Sequence, residues 1–367
     1  MSNIEVIAEA GSNHNGDLGK AIELIDIAKE SGASSVKFQF IFADGLYLPM
    51  FLKDRKSKIY SENSVFFVRK AEELTESEWG KIWSHAASSS LEISASVFCS
   101  KGVSLLKSLG ASFVKIASTD FTNTDLIQSS VDSFERVIIS TGMASLEELK
   151  RNLSYIDSIR TDKTKIDLMH CVSRYPCPLD SSNLARIKLL RDICDYEIGY
   201  SDHTEGSQSA LIALTMGVRI FEKHFTMDKG LPGFDHKHAA NPSELRDYIA
   251  VLQDGQSAAS HDSSSITKEE EITKIRARRG IYTSRELKKG EKINEEDLLY
   301  VRPSSRSSLT SIKDLIGFSV PDDIPKYAAL DIIENGIKEV ESNWEGASQY
   351  WSDEMKEKKM ATNKNEE

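Results

Sequence analysis

Eight short apolar, β-branched stretches, most of them separated by a segment of helical periodicity, constrain this chain more than any other feature. They fall at residues 5–8, 35–38, 92–97, 112–117, 136–139, 166–170, 196–200 and 218–222. None alternates cleanly between apolar and polar residues, which is the pattern of parallel strands buried on both faces. Between the first two, segment 17–31 sets Ile22, Ile25 and Ala28 on one side and stops at Gly32, as an amphipathic helix does. Segments 70–87, 100–109, 145–158, 182–194 and 206–216 read the same way. Eight strands with intervening helices over about 250 residues predict an α/β fold, the (β/α)8 TIM barrel. An open doubly wound sheet would carry a glycine-rich phosphate loop after its first strand. Here that position reads Glu9-Ala10-Gly11-Ser12-Asn13-His14-Asn15-Gly16, without the G-x-G-x-x-G spacing.

The character of the chain changes near residue 254. Residues 1–254 form the barrel domain in this reading. Residues 255–272 begin with a Gly/Ser/Ala-rich run and read as a flexible linker. Residues 273–338 read as a small β-rich domain, too short for a large core. Within it, 287–298 reads as strand, turn, strand and helix start, with Asn294 as N-cap and Asp297 three residues on. The Lys/Glu-rich stretch 339–367 reads as a frayed or disordered tail.

Composition excludes several classes of function. With 46 Lys and Arg against 57 Asp and Glu, the net charge is −11, which disfavours a nucleic-acid partner because phosphate contacts need a concentrated basic surface. No apolar run is long enough to span a bilayer. The start carries Glu5 and Glu9 and no basic segment, unlike a secretory signal. Cys99, Cys171, Cys177 and Cys194 form no C-x-x-C pair, so they read as packed free thiols of a cytoplasmic protein.

In a barrel the chemistry sits at the C-terminal strand ends. Those ends carry Glu9, Lys37 with Gln39, Ser96, Lys115 with Ser118 and Asp120, Ser140 with Thr141, His170 with Ser173 and Tyr175, Ser201 with Asp202 and His203, and Glu222 with Lys223 and His224. His203 and His224 lie on successive strands, where two imidazoles can share a divalent metal. A hydrogen-bonded histidine pair without metal is the alternative. Asp202 and Glu222 flank them as carboxylates suited to orient ligating histidines. Lys37 and Lys115 end otherwise apolar strands, where an ammonium is costly unless it meets an anion. With Ser118, Ser140, Ser173 and Ser201 they suit a phosphate and a carboxylate. Pairing of either lysine with a structural carboxylate such as Glu9 is the other reading.

The ordered set of Glu9 through Gly16, Lys37-Phe-Gln39, Lys115-Ile-Ala-Ser118, Ser140-Thr141-Gly142-Met143, His170-Cys-Val-Ser173-Arg-Tyr175-Pro176, Ser201-Asp-His203-Thr, Glu222-Lys-His224 and Asp235-His236 resembles the sialic acid synthase family, and the C-terminal segment resembles its antifreeze-like (SAF) domain. The resemblance implies a metal-dependent transferase that condenses phosphoenolpyruvate with an N-acetylated hexose to give a nonulosonic acid. N-Acetylneuraminate synthase is the first expectation, with legionaminate or pseudaminate synthase, or a non-catalytic sugar-binding relative, as alternatives. By position, Lys37, Lys115, Ser118, Ser140 and Ser201 would hold phosphoenolpyruvate. His203 and His224 would hold Mn2+, Mg2+ or Co2+. Glu9, Gln39, Tyr175 and Asp235 would address the sugar or the reacting carbonyl, with Asp120, Thr141 and Ser173 among the substrate-binding positions. The resemblance also implies a homodimer whose antifreeze-like cap swaps between chains and delivers Arg302. The chain departs from the family pattern at Ser173, at Asp120 and at Ser304-Ser305-Arg306, all on the sugar side or the cap.

Overall fold

A computed structural model describes residues 4–260, 264–334, 336–345, 347, 348, 351 and 352. The chain divides into two units, Met1–His261 and Asp262–Glu367.

The first unit is a closed barrel of eight parallel strands. They are β1 (Glu5–Gly11), β2 (Ser35–Phe40), β5 (Glu92–Val97), β6 (Val114–Ile116), β7 (Arg136–Ser140), β8 (Lys165–Cys171), β9 (Glu197–Asp202) and β10 (Ile220–His224), closing through β1 and β10. Between β2 and β5 lies a solvent-exposed hairpin, β3 (Met50–Asp54) with β4 (Ile59–Glu62), which the sequence reading omits. Each barrel strand overlaps its expected stretch, because buried β-branched runs have few other places to go.

The segment expected as one helix over 70–87 is two, Ser64–Ala71 and Glu76–Ser88. Thr75 supplies the reason. Its Oγ1 accepts from Glu78 N (3.3 Å) while Thr75 N donates to Glu78 Oε2 (2.8 Å), a reciprocal cap that starts a new helix. Trp79 and Trp83 of that second helix pack with Phe40 and His14. The Phe40–Trp79 centroids lie 4.6 Å apart, and His14 meets Trp79 edge-on at 5.5 Å. This cluster belongs to the main core between strands and helices.

The barrel interior has its own apolar plug of Ile7, Phe113, Ile138, Met169 and Ile220. Below it, at the N-terminal strand ends, Arg136 closes the barrel. Its Nη1 and Nη2 donate to the two Glu5 oxygens at 2.8 and 2.7 Å, and its Nε donates to Asp167 Oδ2 at 2.7 Å. Lys165 reaches Asp167 Oδ1 at 3.2 Å.

Helix Pro242–Ala259 runs through the first residues expected as linker, since Asn241 caps it and Leu252 is buried beneath it. Helix Lys268–Ala277 takes the end of the expected linker, capped by Thr267 with Glu270. Residues 261–263 lie outside the described residues.

The second unit holds a four-stranded antiparallel sheet of order β12 (Leu298–Val301), β11 (Gly280–Thr283), β13 (Ala329–Ile333) and β14 (Gly336–Val340). Its core includes Ile281, Leu287, Ile293, Leu315, Val320 and Leu330. Residues 287–293 are joined to their neighbours by isolated bridges at Leu287 and Lys292 instead of the expected pair of strands. Asn294 N does donate to Asp297 Oδ2 at 2.9 Å, and the turn it opens is a 3-10 turn, Glu295–Asp297. Residues 339 and 340 of the expected tail belong to β14, and Trp344 meets Trp351 at 5.9 Å. The remainder of the tail from 353 lies outside the described residues.

Candidate active site at the barrel mouth

Above the apolar plug, four strand ends bring two lysines and two carboxylates together. Strand register fixes the neighbours: Glu9 pairs with Lys37 across β1 and β2, and Ser96 pairs with Lys115 across β5 and β6. Lys37 Nζ forms an ion pair with Glu9 Oε2 and donates to Ser96 Oγ at 2.8 Å. It lies 3.7 Å from Glu222 Oε2. Lys115 Nζ donates to that same Glu222 oxygen at 2.6 Å, and Ser201 Oγ donates to Glu222 Oε1 at 2.9 Å. Gln39 Nε2 donates to Glu9 Oε1 at 2.8 Å. All four charged groups are buried.

Burial, helped by Glu222 and opposed by Lys37, pushes the Glu9 carboxyl up to about 7. Burial acts on Glu222 too, but Lys115 and Lys37 overcome it and hold that carboxyl well below the usual carboxylate range. Burial lowers Lys115, whereas Glu222 and Glu9 outweigh burial at Lys37 and raise it. The quartet is internally neutral when all four are ionised. An anion entering here would meet two ammonium groups, and Glu9 is the carboxylate most readily neutralised by a proton.

The quartet opens into a cavity of about 180 Å3. One wall carries hydroxyls: Ser118, Ser140 and Ser173 line it with Lys115. Gly142 N donates to Ser118 Oγ at 3.0 Å. A Cβ at Gly142 would sit 2.7 Å from both Ser118 Oγ and Ser173 Oγ, so only glycine lets the hydroxyls converge there. Asp120 and Thr141 do not line this cavity. Asp120 accepts from Thr119 Oγ1 (2.9 Å) and Asn123 Nδ2 (3.0 Å), and Thr141 Oγ1 donates to Met169 O at 3.0 Å. Asp120 is taken up by its own loop and Thr141 by the backbone of the neighbouring strand.

The opposite wall carries imidazoles. His203 and His224 have centroids 5.5 Å apart, and the half-exposed Tyr175 ring stands 4.0 Å from His203. His203 Nδ1 faces Val172 O at 2.7 Å, leaving Nε2 as its second nitrogen. Burial drives His224 down to about 3, and its Nδ1 is buried without a partner. Asp202 and Glu222 do not orient these histidines as the sequence reading expects. Asp202 serves Tyr200, Thr204 and Lys223, and Glu222 serves the lysines. Cys171 lies against His203 Nδ1 instead, at 3.7 Å. Asp235 approaches from the loop after β10: a Cβ at Gly11, whose φ is +57°, would meet Asp235 Oδ2 at 3.1 Å and Gln39 Nε2 at 3.4 Å.

Cys171, Thr119 and Met143 also line the cavity. Cys171 reads as a packed thiol in sequence, although its place directly after His170 at a strand end is the available signal. Arg302 is exposed on the second unit, at the end of β12.

The two histidines fit a divalent ion by their chemistry. His224 is a neutral, buried imidazole with an unused nitrogen, and neutral imidazole is the ligating form. Among the described residues no group of three or more His, Cys, Asp and Glu side chains is arranged to hold a metal, so water and substrate would complete the coordination. Among the described residues, too, no helix is long and apolar enough to cross a membrane.

The chain shares most of its length with several relatives. It is 34% identical over 316 residues to N,N'-diacetyllegionaminic acid synthase of Legionella pneumophila, covering 85% of this chain and 89% of that one. It is 30% identical to pseudaminic acid synthase of Campylobacter jejuni, covering 87% and 93%. The crystal structure of N-acetylneuraminic acid synthetase from Leptospira borgpetersenii in complex with citrate superposes with a TM-score of 0.64 at 30% identity, covering 74% of this chain and 90% of that one. The NeuB family model matches residues 24–263, most of the barrel unit, and the protein belongs to that family.

Proposed function

We propose that the protein condenses phosphoenolpyruvate with an acetamido hexose to give a nonulosonic acid and phosphate. The observation that carries this reading is one cavity walled by two buried lysines and a cluster of hydroxyls on one side and two imidazoles on the other. Lys37 and Lys115 bind the phosphate and carboxylate, with Ser118, Ser140, Ser173 and Ser201 supplying hydrogen bonds, which orients the methylene carbon toward the acceptor. His203 and His224 would hold a divalent ion, whose chemistry there would be Lewis acidity toward the acceptor's aldehyde oxygen. Carbon–carbon bond formation is followed by addition of water at C2 and expulsion of phosphate by C–O cleavage. Glu9, raised toward neutrality by burial, holds or releases the proton beside that carbon. Tyr175, Gln39 and Asp235 face the sugar.

N-Acetylmannosamine is one acceptor. The similarity to a diacetyllegionaminic acid synthase favours a diacetamido hexose as the second. The reading extends to the cap: the second unit is antifreeze-like, and Arg302 of the partner subunit completes the site in a homodimer. A mixed dimer of Arg302→Ala and Lys115→Ala chains, active where each parent is not, tests that arrangement.

Phosphate release from phosphoenolpyruvate, measured against a panel of mono- and diacetamido hexoses, tests the reaction. Activity is expected to vanish in excess EDTA and to return with Mn2+, Mg2+ or Co2+. Full activity in EDTA removes the metal from the reading. Borohydride trapping of pyruvate on Lys37 or Lys115 replaces the reading with a Schiff-base aldolase.

A further inference from the structure

The 3-10 turn His236–His238 follows the metal-fitting strand β10 and folds back onto it. Ala240 N donates to His224 O at 2.8 Å, and Thr226 N donates to Ala240 O at 2.8 Å. The turn is closed by Asp235 O, which accepts from His238 N at 3.3 Å and Ala239 N at 3.1 Å. These bonds tether the backbone beside His238 to the strand that carries His224. Its centroid lies 4.9 Å from Tyr175 and 6.0 Å from His224. Its side chain is only 14% exposed, and Nε2 is buried with no hydrogen-bond partner. Asp235 Oδ1 is 3.7 Å away, beyond hydrogen-bonding distance. A desolvated ring nitrogen left unpaired in a well-anchored residue is unfavourable unless something arrives to pair with it.

Two further features define what arrives. His238 packs with Tyr175 and His224 and faces Asp235, residues placed on the acceptor and metal side of the site. It also lines a second cavity of about 380 Å3, bounded by Thr204, Gly206, Lys223, Lys229 and Tyr248. The ring thus touches two residues that wall the reaction cavity, Tyr175 and His224, and itself lines the empty space of the second.

We propose that His238 is a specificity-determining residue, pairing through Nε2 with a polar group of the acceptor sugar and forming the partition that limits the size of its substituents. This rests on the condensation reading above. The group it meets is a hydroxyl or an acylamino function, since imidazole serves as donor or acceptor according to tautomer. The role is one of binding and shape, so it calls for no change of charge on the ring.

Steady-state kinetics of wild type, His238→Ala and His238→Gln test this with phosphoenolpyruvate and a series of hexosamines bearing N-acetyl, N-propanoyl and N-butanoyl groups. His238→Ala is expected to raise the sugar's KM roughly ten- to hundredfold while that of phosphoenolpyruvate stays within about twofold. The alanine enzyme should lose preference for the shortest acyl group, because the second cavity becomes accessible. His238→Gln, which keeps a polar nitrogen near the same place, should recover most of the sugar affinity. Equal changes in both KM values, or unchanged sugar kinetics with unchanged acyl preference, overturn the assignment. So does a His238→Gln enzyme as impaired as His238→Ala. Wild-type phosphate release with any of the sugars keeps the parent reading standing when the His238 prediction fails. No release with every mono- and diacetamido sugar overturns both.

Discussion

Each end of the barrel holds a quartet of two cations and two carboxylates, and the two quartets are built for different ends. At the lower end, Arg136 grips Glu5 with both terminal nitrogens and Asp167 with Nε, and Lys165 takes the other Asp167 oxygen. A guanidinium is a rigid planar fork, and here each of its three nitrogens meets a carboxylate oxygen. At the upper end the cations are Lys37 and Lys115, point charges on flexible stems. They share Glu222 with each other, and Lys37 divides itself among Glu9, Glu222 and Ser96. The lower quartet pairs its charges with one another and closes a wall. The upper quartet borders a cavity and can exchange partners when an anion arrives. Electroneutrality in the absence of ligand lets the fold tolerate such a site, because each buried ammonium has a carboxylate beside it.

The sharpest test of this contrast is Lys115→Ala. Turnover should fall by at least about a hundredfold, with the phosphoenolpyruvate KM rising more than the sugar's, because the lost contact is made to the reacting anion. Urea denaturation should show a smaller loss than at the lower end, since Lys37 and Ser201 still face Glu222. If Lys115→Ala loses as much urea stability as the lower-end variant while keeping its specific activity, the upper quartet is structural and the contrast breaks.

Arg136→Ala should do the reverse. Removing one partner of a buried ion pair costs about 3–5 kcal/mol, so the urea midpoint should drop while kcat/KM below the transition stays as in wild type. Arg136→Lys keeps the charge without the fork and should lose roughly half as much. Equal stability of all three proteins would mean that the lower quartet closes nothing.

A smaller effect separates the ends by acid. His14 is packed against Trp79 near the upper end of β1, and burial with Arg69 nearby lowers it from 6.5 to about 4. Between those values the unfolded chain binds a proton at this position and the folded chain does not. Stability from this group is therefore complete above about pH 6.5 and is lost as pH falls toward 4, by roughly 3 kcal/mol at most. Denaturation of wild type and His14→Gln across that window measures it: the wild type should weaken faster with acid, and parallel curves refute the assignment.

Much of this architecture is legible in the sequence, and the reason is physical. Buried parallel strands demand apolar, β-branched runs, and any polar residue ending such a run must face something that justifies its burial. That logic finds Glu9, Lys37, Lys115, His203 and His224, which the structure gathers around one cavity. It fails for Asp120 and Thr141, because a polar side chain at a strand end can also satisfy its own loop, as Asp120 does, or the backbone of the next strand, as Thr141 does. It fails for Asp202 and Glu222 as supports of the histidines, because adjacency along a strand does not say which cation lies across the sheet. Lys115 stands 107 positions from Glu222, on a strand that does not neighbour it, and only closure of the barrel brings them together across the interior. The break at 72–75 is missed because a continuous amphipathic pattern hides a cap, and the hairpin is missed because its apolar residues are not buried.

The placement of the tryptophans has an optical consequence. Trp79 and Trp83 are buried in the barrel's aromatic cluster, whereas Trp344 is 56% exposed on the second unit beside Trp351. The four indoles are thus divided evenly between the units. The barrel pair should emit at short wavelength and the exposed Trp344 at longer wavelength, so one spectrum contains a separable signal from each unit. His14 meets Trp79 edge-on, and an imidazolium quenches indole emission. The short-wavelength component should therefore dim when His14 takes up its proton, before the barrel opens, and the long-wavelength component should not.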